Sequence, residues 1–326
     1  MLDELEPLAA TPTAYGFVVL LGLLWGSFAN VCIYRWPPTD EFPEGRSVVQ
    51  PGSHCFACKT PIRWYDNVPL VSWLWLRGRC RSCKAPFSAR YLLVEALTGL
   101  LFGLAWWATT ADVPAQLRGL FHAEPFDVRL IRFAIYAAFC TVMVVVTFID
   151  LDHKLILLRV PTVVAFYALG LLLPGATWWG GLVGIAVGYG VPWGIGEIYY
   201  RLTGREGLGL GDAMLLALVG ALLGWKGVLG ALFGGSTIGA VIGLVALTIA
   251  RRRGGAADGE VAPETTPEIA PEAADEGDAE DGEAGEAGER SLLRTELPFG
   301  PFLAMAAVFY LYAEPWIQLY FRFPGE

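Results

Sequence analysis

Charge is what this sequence most lacks. Only 17% of its 326 residues are Asp, Glu, Lys or Arg, whereas a soluble domain carries about a quarter. Hydrophobic residues make up 55% of the chain, the mean hydropathy is +0.48, and the apolar residues lie in long blocks. This composition argues against a large soluble core and predicts an all-α polytopic membrane protein.

Basic residues are missing from one stretch, and this explains the net charge of -9. Residues 254–289 hold 13 acidic residues and no Lys or Arg. Removing these 13 from the 32 acidic residues leaves 19 against 23 basic ones, so the remainder is slightly basic and nothing indicates nucleic-acid binding. The low-complexity Ala, Glu, Pro and Gly composition of residues 251–297 predicts a disordered cytoplasmic insertion with no evident chemistry.

The first apolar run, about residues 14–34, lacks the features of a secretory signal peptide. Acidic residues, not basic ones, precede it, and it continues into GSFANVCIYRWP without a small-residue cleavage site. We therefore predict a transmembrane helix that stays in the protein.

A membrane span needs roughly 20 apolar residues, and about eight segments are candidates. They are residues 14–34, 91–108, 131–149, 156–174, 181–200, 213–224 (short), 228–250 and 299–319.

Lys and Arg indicate the orientation. Nine of them lie in residues 35–90, and Arg251, Arg252 and Arg253 end the seventh predicted span. Because cytoplasmic loops carry an excess of Lys and Arg, we expect these segments to be cytoplasmic and both termini to lie outside. Arg118 and Arg129 do not follow this rule, because the predicted topology places them in a loop on the outside.

Four of the six cysteines form two C-x-x-C pairs, Cys55 with Cys58 and Cys80 with Cys83, with 21 residues between them. Two such pairs can place four thiolates around a structural, tetrahedral zinc ion. Two disulfides or a redox-active pair are the alternatives, and a cytoplasmic loop disfavours stable disulfides. Since four thiolates complete the shell, the adjacent His54 is not needed as a ligand.

Two aspartates stand where predicted spans meet the cytoplasmic boundary. Asp150 ends the third span and Asp212 begins the sixth. Taken alone, each is better explained as a helix-end carboxylate, with Asp212 capping its helix or interacting with the helix dipole. Together they suggest a pair that shares one proton, in which one member activates water while the other donates to a carbonyl. That is the chemistry of peptide hydrolysis.

The stretch GLGLGD at 207–212 supports this interpretation. Gly209 and Gly211 allow a sharp turn and the close approach of a substrate strand, whereas the G-x-G-x-x-G spacing of a nucleotide loop is absent. Asp152 competes with Asp150, but two positions on a helix differ by about 200°, so only one of them can face a given partner. Asp150 directly follows the apolar run and is the preferred candidate.

The sequence resembles the type IV prepilin peptidases. Besides the two C-x-x-C pairs, the matching stretches are GSFANVCIYRWP (26–37), DNVPLVSWLWLRGRCRSC (66–83), RYLLVEALTG (90–99), FIDLDHKLI (148–156), GLGLGDAMLLALVG (207–220) and LPFGPFLA (297–304). They follow the family order across nearly the whole chain.

The resemblance implies a GxGD-type aspartic protease of the bacterial inner membrane. Such an enzyme removes the basic leader of prepilins and pseudopilins at the cytoplasmic face, and Asp150 and Asp212 match its catalytic aspartates. It then methylates the new amino terminus with S-adenosylmethionine. By resemblance alone, Arg35, Asn30 and residues 66–79 are contributors to the site of that cofactor.

Two features depart from the family pattern. Leu157 and Leu158 replace a Pro–Asp pair that usually follows the first aspartate, which predicts a differently shaped loop. The acidic insertion replaces a loop that is generally short. The expected organisation is a first helix (1–34), a zinc-binding domain (35–90), a catalytic core (91–250), the insertion (251–297) and a last helix with the C-terminus (298–326).

Two other classes of function remain open at this point. One is a transporter or channel with a zinc-bearing cytoplasmic domain, for which Glu95 and Glu197 are the candidate intramembrane charges. The other is a non-proteolytic scaffold of the same family, against which the intact pair of aspartates argues.

Overall fold

The computed structural model describes residues 6–110, 125–204, 209–257 and 298–320. Within them the chain is helical, with isolated two-residue bridges and no strand. The helices are α1 (Glu6–Ala9), α2 (Pro12–Arg35), α3 (Val71–Trp75), α4 (Arg90–Thr110), α5 (Phe126–His153), α6 (Val160–Gly170), α7 (Trp178–Thr203), α8 (Leu210–Ala257) and α9 (Gly300–Tyr320), and a 3-10 turn covers Trp64–Asn67. The prediction of an all-α protein is confirmed for this part of the chain.

The chain divides into two compact units, residues 1–236 with 299–326, and residues 237–298. The second unit holds the C-terminal part of α8, and the candidate carboxylates and the four paired cysteines lie in the first. Most of the predicted insertion, residues 258–297, falls outside the described residues.

Five helices in the described ranges are long and apolar enough to cross a membrane: α2, α4, α5, α7 and residues Leu210–Ile249 of α8. Two shorter apolar helices, α6 and Gly300–Glu314 of α9, accompany them. The count of eight long spans is therefore not confirmed. One reason is that α6 begins only at Val160, with Pro161 in its first turn, and has 11 residues.

The predicted sixth and seventh spans are two helical segments that meet directly at Gly224, and α8 denotes both. α8 runs for 48 residues, and Gly224 interrupts it with φ 67° and ψ -174°. Glycine adopts positive φ at little cost because it has no Cβ. The sequence pattern thus located two apolar segments, while the glycine between them makes a kink and not a loop.

Close helix packing places the N-terminal half of α8 against α7. A Cβ added at Gly184 would lie 2.1 Å from the carbonyl oxygen of Gly220, so only glycine fits. Small residues allow membrane helices to approach in this way.

The core is centred on the C-terminal half of α5. Ile149 packs in one buried cluster with Leu215 of α8 and Leu303 of α9, and each is at most 1% exposed. Consequently the C-terminal end of α5 and the N-terminal ends of α8 and α9 lie together. The candidate carboxylates stand at this junction.

Candidate active site and metal centre

Asp150 is a buried carboxylate in the last turn of α5. Its residue is 5% exposed, and its Oδ2 atom is buried without a hydrogen bond of ordinary geometry among the described residues. The backbone N–H of Gly300 is the donor that interacts with this carboxyl group.

Asp212 lies in the first turn of α8 and is half-buried. Its backbone N–H donates to the carbonyl oxygen of Gly209 at 3.1 Å, within the turn that opens the helix. The charges of Asp150 and Asp212 are close enough to interact. The structure thus brings together the two aspartates that the sequence predicted as a pair.

Ile156 and two glycines connect the carboxylates. A Cβ added at Gly211 would lie 2.8 Å from Ile156 Cβ, and one added at Gly300 would lie 2.9 Å from Ile156 Cδ1 and 2.5 Å from Asp150 Oδ2. Gly211 precedes Asp212 in the chain, so Ile156 packs between the backbones beside both aspartates. The tight packing leaves no room for a side chain at Gly211 or Gly300.

Neither Gly300 nor Ile156 was singled out from the sequence. Gly300 lies within LPFGPFLA, which was recognised only as a matching stretch. The proximity of Gly300 to Asp150 joins residues 150 positions apart, and no local pattern predicts such a contact.

Asp152 occupies a different environment from Asp150. Its side chain is 36% exposed and forms an ion pair with Arg90. Arg90 also donates to the backbone carbonyl of Phe148 at 2.7 Å, and its guanidinium lies 4.9 Å from the Phe148 ring centre. Asp152 therefore helps to join the start of α4 to the end of α5, facing away from the buried carboxylate.

The segment after α5 contains the two leucines that depart from the family pattern. α5 ends at His153, and the next residue, Lys154, caps it: its backbone is left-handed and its N–H donates to the carbonyl oxygen of Asp150 at 2.8 Å. Leu158 then packs against the core, whereas Leu157 is 36% exposed. One of the two replacements thus serves packing.

The four predicted cysteines form one cluster, with all four sulfur atoms within 4.8 Å of one another. Cys55 Sγ lies 3.7 Å from Cys83 Sγ, and Cys58 Sγ lies 4.0 Å from Cys80 Sγ. These separations exceed the disulfide length of about 2.05 Å. They match the spacing of about 3.8 Å that four thiolates have around a tetrahedral ion with Zn–S bonds of about 2.3 Å.

Each C-x-x-C pair sits in the same small hairpin. The amide of Lys59 donates to the carbonyl of Cys55, the amide of Lys84 donates to that of Cys80, and both lysines have positive φ. The motif behind this geometry is C-x-x-C-K-x-P, present as CFACKTP and CRSCKAP. The C-x-x-C spacing alone does not include the lysine and the proline that complete this repeat.

Thr60 and His54 are neighbours of the cysteine cluster, and only Thr60 contacts a sulfur atom. The Thr60 hydroxyl lies 3.2 Å from Cys58 Sγ. Its hydrogen bond is the main cause that lowers the pKa of Cys58 to about 6, and a lower pKa favours the thiolate, the form that binds metals. His54 lies beside the cluster but bonds through Nδ1 to the carbonyl of Gly52 at 3.0 Å, and it is not part of the sulfur group.

Part of the predicted glycine hinge at 207–211 lies outside the described residues, because the structure describes the chain again only from Gly209. A Cβ added at Gly209 would lie 3.6 Å from Asp212 Oδ2 and 3.9 Å from the backbone nitrogen of Gly211, which are ordinary contact distances. Gly209 therefore lies directly beside the carboxylate of Asp212.

Comparisons with known proteins match both halves of the chain. Residues 20–109 match a family model described as bacterial Peptidase A24 N-terminal domain, and residues 137–244 match the type IV leader peptidase family. No solved structure matches the chain.

Curated relatives extend these matches over most of the chain. A protein of Myxococcus xanthus is 34% identical over 93% of this chain and 91% of its own length. One of Aeromonas hydrophila is 36% identical over 71% and 80%, and one of Pseudomonas aeruginosa is 30% identical over 98% of both. Each is named prepilin leader peptidase/N-methyltransferase.

Proposed function

Because the chain belongs to the type IV leader peptidase family, we propose that it cleaves prepilins with the carboxyl pair Asp150 and Asp212. It is a prepilin leader peptidase and an N-methyltransferase, the two activities in the name of its curated relatives. The observation that carries the catalytic proposal is the meeting of the two aspartates at the end of α5 and the start of α8, beside Gly300.

Hydrolysis requires one carboxylate and one carboxylic acid. Two neighbouring carboxyl groups in a confined site do not easily ionise together, so they share a proton. The ionised member takes a proton from water as the water oxygen attacks the scissile carbonyl carbon, and the other protonates the carbonyl oxygen. Collapse of the tetrahedral intermediate then breaks the C–N bond. The member that took a proton from water gives it to the leaving amine, and the other member takes back the hydroxyl proton as the carbonyl forms again, so the pair returns to its starting state.

The position of the pair suits an amphipathic substrate. A basic leader stays in water while the apolar start of the mature pilin enters the bilayer. The bond to be cut then lies at the depth where α5 ends and α8 begins. Gly209, which lies beside the Asp212 carboxylate and has no side chain, is where a substrate strand can approach Asp212 closely.

The cysteine cluster is proposed to hold one structural zinc ion. The four sulfur donors with tetrahedral spacing support metal binding. A closed shell of four thiolates leaves no position for a reacting water, which supports a structural role for the ion. Cys55, Cys58, Cys80 and Cys83 would bind the ion and fix the loop that they share.

The methyltransferase activity implies S-adenosylmethionine, whose sulfonium carries the methyl group to be transferred. The acceptor would be the amino terminus that cleavage exposes. Prepilins and pseudopilins are therefore the proposed protein substrates for both reactions.

The protein is a multi-pass membrane protein, and we place it in the bacterial inner membrane. Division of α8 at Gly224, together with the shorter helices α6 and α9, would give eight membrane segments. In that topology residues 35–90 and both aspartates face the cytoplasm, as the Lys and Arg distribution suggests. The predicted domain boundaries stay as proposed from the sequence, with the catalytic core at 91–250.

Purified protein incubated with a synthetic prepilin segment and S-adenosylmethionine tests this function. Mass spectrometry should detect first the loss of the leader and then a gain of one methyl group on the new amino terminus. The variant Asp212→Ala serves as the control and should leave the segment uncut.

A further inference from the structure

One stretch of the loop between α2 and α4, the loop that bears the four paired cysteines, is as apolar as a membrane helix. Residues 68–76 read VPLVSWLWL and carry no charge, with Asp66 two positions before them and Arg77 directly after them. These nine residues are too few for a membrane span, which needs roughly 20. They are enough for a segment that enters one leaflet and leaves it on the same side.

Leu70 places this stretch beside helices that can cross the membrane. Its backbone N–H donates to Oε2 of Glu95 at 2.8 Å, and Glu95 lies about 8 Å along α4 from its first residue, Arg90. Leu70 also lines a groove on α2 and α4 together with Leu23 and Leu100. Leu23 lies about 18 Å from the end of α2, and Leu100 about 15 Å from the start of α4. Leu70 is therefore within the depth of the bilayer.

Arg90 indicates the membrane face at which the stretch lies. It begins α4, donates to the carbonyl oxygen of Phe148 at 2.7 Å and forms an ion pair with Asp152. Phe148 and Asp152 lie on either side of Asp150 in the last turns of α5. The stretch thus enters the leaflet at whose surface the two candidate carboxylates lie.

Three side chains of α3 form an exposed apolar face. Val71, Leu74 and Trp75 are 60%, 61% and 80% exposed, and their spacing of three and four positions puts them on one side of a helix. Ser72 is buried. Contiguous exposed apolar groups mark contacts with a protein or a membrane. Because Leu70 joins this stretch to the apolar outer surface of α2 and α4, lipid is the partner that fits here.

The backbone N–H groups of the stretch find acceptors within the protein. The Ser72 hydroxyl accepts from the N–H of Val68 at 3.0 Å, Glu95 accepts from that of Leu70, and Pro69 has none to satisfy. Backbone carbonyl groups of the stretch accept the N–H groups of Val71, Ser72, Leu74 and Leu76. Irregular backbone is tolerated at membrane depth only where the protein satisfies its polar groups in this way.

We propose that residues 68–76 re-enter the membrane in the leaflet next to the two aspartates, with Val71, Leu74 and Trp75 against lipid acyl chains. The segment fastens the cysteine-bearing loop to the membrane, and Glu95 takes the place of water at the turn that leads into α3. Arg77 follows where the chain returns to the surface, a depth at which Trp and basic residues are enriched. This membrane contact goes beyond the proposed function and holds whichever reaction the protein catalyses.

Photo-crosslinking of the full-length protein in vesicles of phosphatidylethanolamine and phosphatidylglycerol tests the proposal. A diazirine-bearing amino acid replaces Leu74, Trp75, Leu100 or Val49 in turn, and mass spectrometry quantifies peptides that carry a phospholipid. Leu100 is the positive control, because it is 59% exposed in the middle of α4. Adducts at Leu74 and Trp75 should reach the level at Leu100 and exceed the level at Val49 about tenfold, since acyl chains surround only residues within the bilayer.

Val49 is the matched control in the same loop. It is 77% exposed and lies between Ser47 and Pro51, whose carbonyl oxygens accept hydrogen bonds from Arg35 at 2.8 Å and 2.6 Å. Arg35 is the last residue of α2, so Val49 lies beyond the end of that helix, in water. A single symmetric elution peak in detergent shows that each variant folds.

Hydroxyl-radical labelling of the unmodified protein in the same vesicles is the second measurement. Trp75 is more exposed than Phe42, which lies in the turn after α2, and an indole reacts faster than a phenyl ring. Trp75 should nevertheless be labelled less than Phe42, because the bilayer keeps water from it.

Either of two results would overturn the proposal: stronger labelling of Trp75 than of Phe42, or phospholipid adducts at Leu74 and Trp75 no more abundant than at Val49. Crosslinks from Leu74 and Trp75 to a second copy of the chain or to an added prepilin, in place of lipid, would also overturn it, since the exposed face of α3 would then be a contact between proteins.

Discussion

Gly300 lies directly against Asp150: a Cβ at this glycine would be 2.5 Å from the carboxylate oxygen Oδ2. Gly300 is the first residue of α9, so the N-terminal end of that helix faces the buried carboxylate. The positive end of a helix dipole favours negative charge nearby. The glycine thus allows a contact that any side chain would block.

Gly300→Ala should therefore slow leader cleavage by at least about tenfold. The added methyl group has to displace either Asp150 or Ile156, and overpacking of this kind costs roughly 1–3 kcal/mol. Gly190→Ala is the matched control, because nothing lies within 4 Å of a Cβ at that position. Equal cleavage rates for the two alanine variants, measured on the same prepilin, would contradict the close contact.

Arg90 and Asp152 should act as one structural unit in cleavage. Their ion pair is partly exposed, with side chains 29% and 36% exposed, and such pairs contribute roughly 1 kcal/mol or less. Asp152→Asn should slow cleavage by less than about fivefold. Arg90→Gln should cost more, because it also removes the hydrogen bond to Phe148.

The double variant Arg90→Gln with Asp152→Asn tests this coupling. It should cleave at the rate of Arg90→Gln alone, since both changes break the same pair. Glu197→Gln, which removes the exposed partner of Arg201, is the control and should match wild type. Fully additive losses in the double variant would show that Asp152 acts independently of Arg90.

Metal content tests the cysteine cluster. Wild-type protein should contain about one zinc ion per chain, and Cys55→Ser or Cys80→Ser should lose it, because each sulfur is one of four ligands. Cys32→Ala is the control, since Cys32 is a buried thiol in α2 outside the cluster. Active wild-type protein without zinc would rule out the metal site.

Local patterns in the sequence predicted several parts of the site. The C-x-x-C spacing identified the four cysteines that meet in space, because each pair is a single turn. The helical rotation between Asp150 and Asp152 indicated that they face different surroundings, and they do: one is buried and the other binds Arg90.

Other features depend on tertiary contacts that no short pattern contains. The packing of Ile156 between Gly211 and Gly300 joins three separate parts of the chain. Hydropathy also could not distinguish a loop from the kink at Gly224, because both separate two apolar segments. The 11-residue length of α6 follows from where the chain turns and not from where its apolar run begins.

The rate of leader cleavage by Asp150→Asn and Asp212→Asn tests the central claim most directly. Each substitution keeps the size of the side chain and removes its ability to ionise, so a pair that shares a proton should fail in both cases, with losses of at least about a thousandfold. Methylation of an already cut pilin should survive in both variants and thereby show that they fold. If Asp212→Asn cleaved at the wild-type rate, the aspartic protease assignment would be wrong. If Asp152→Asn were inactive while Asp150→Asn cleaved normally, the wrong carboxylate of α5 would have been chosen.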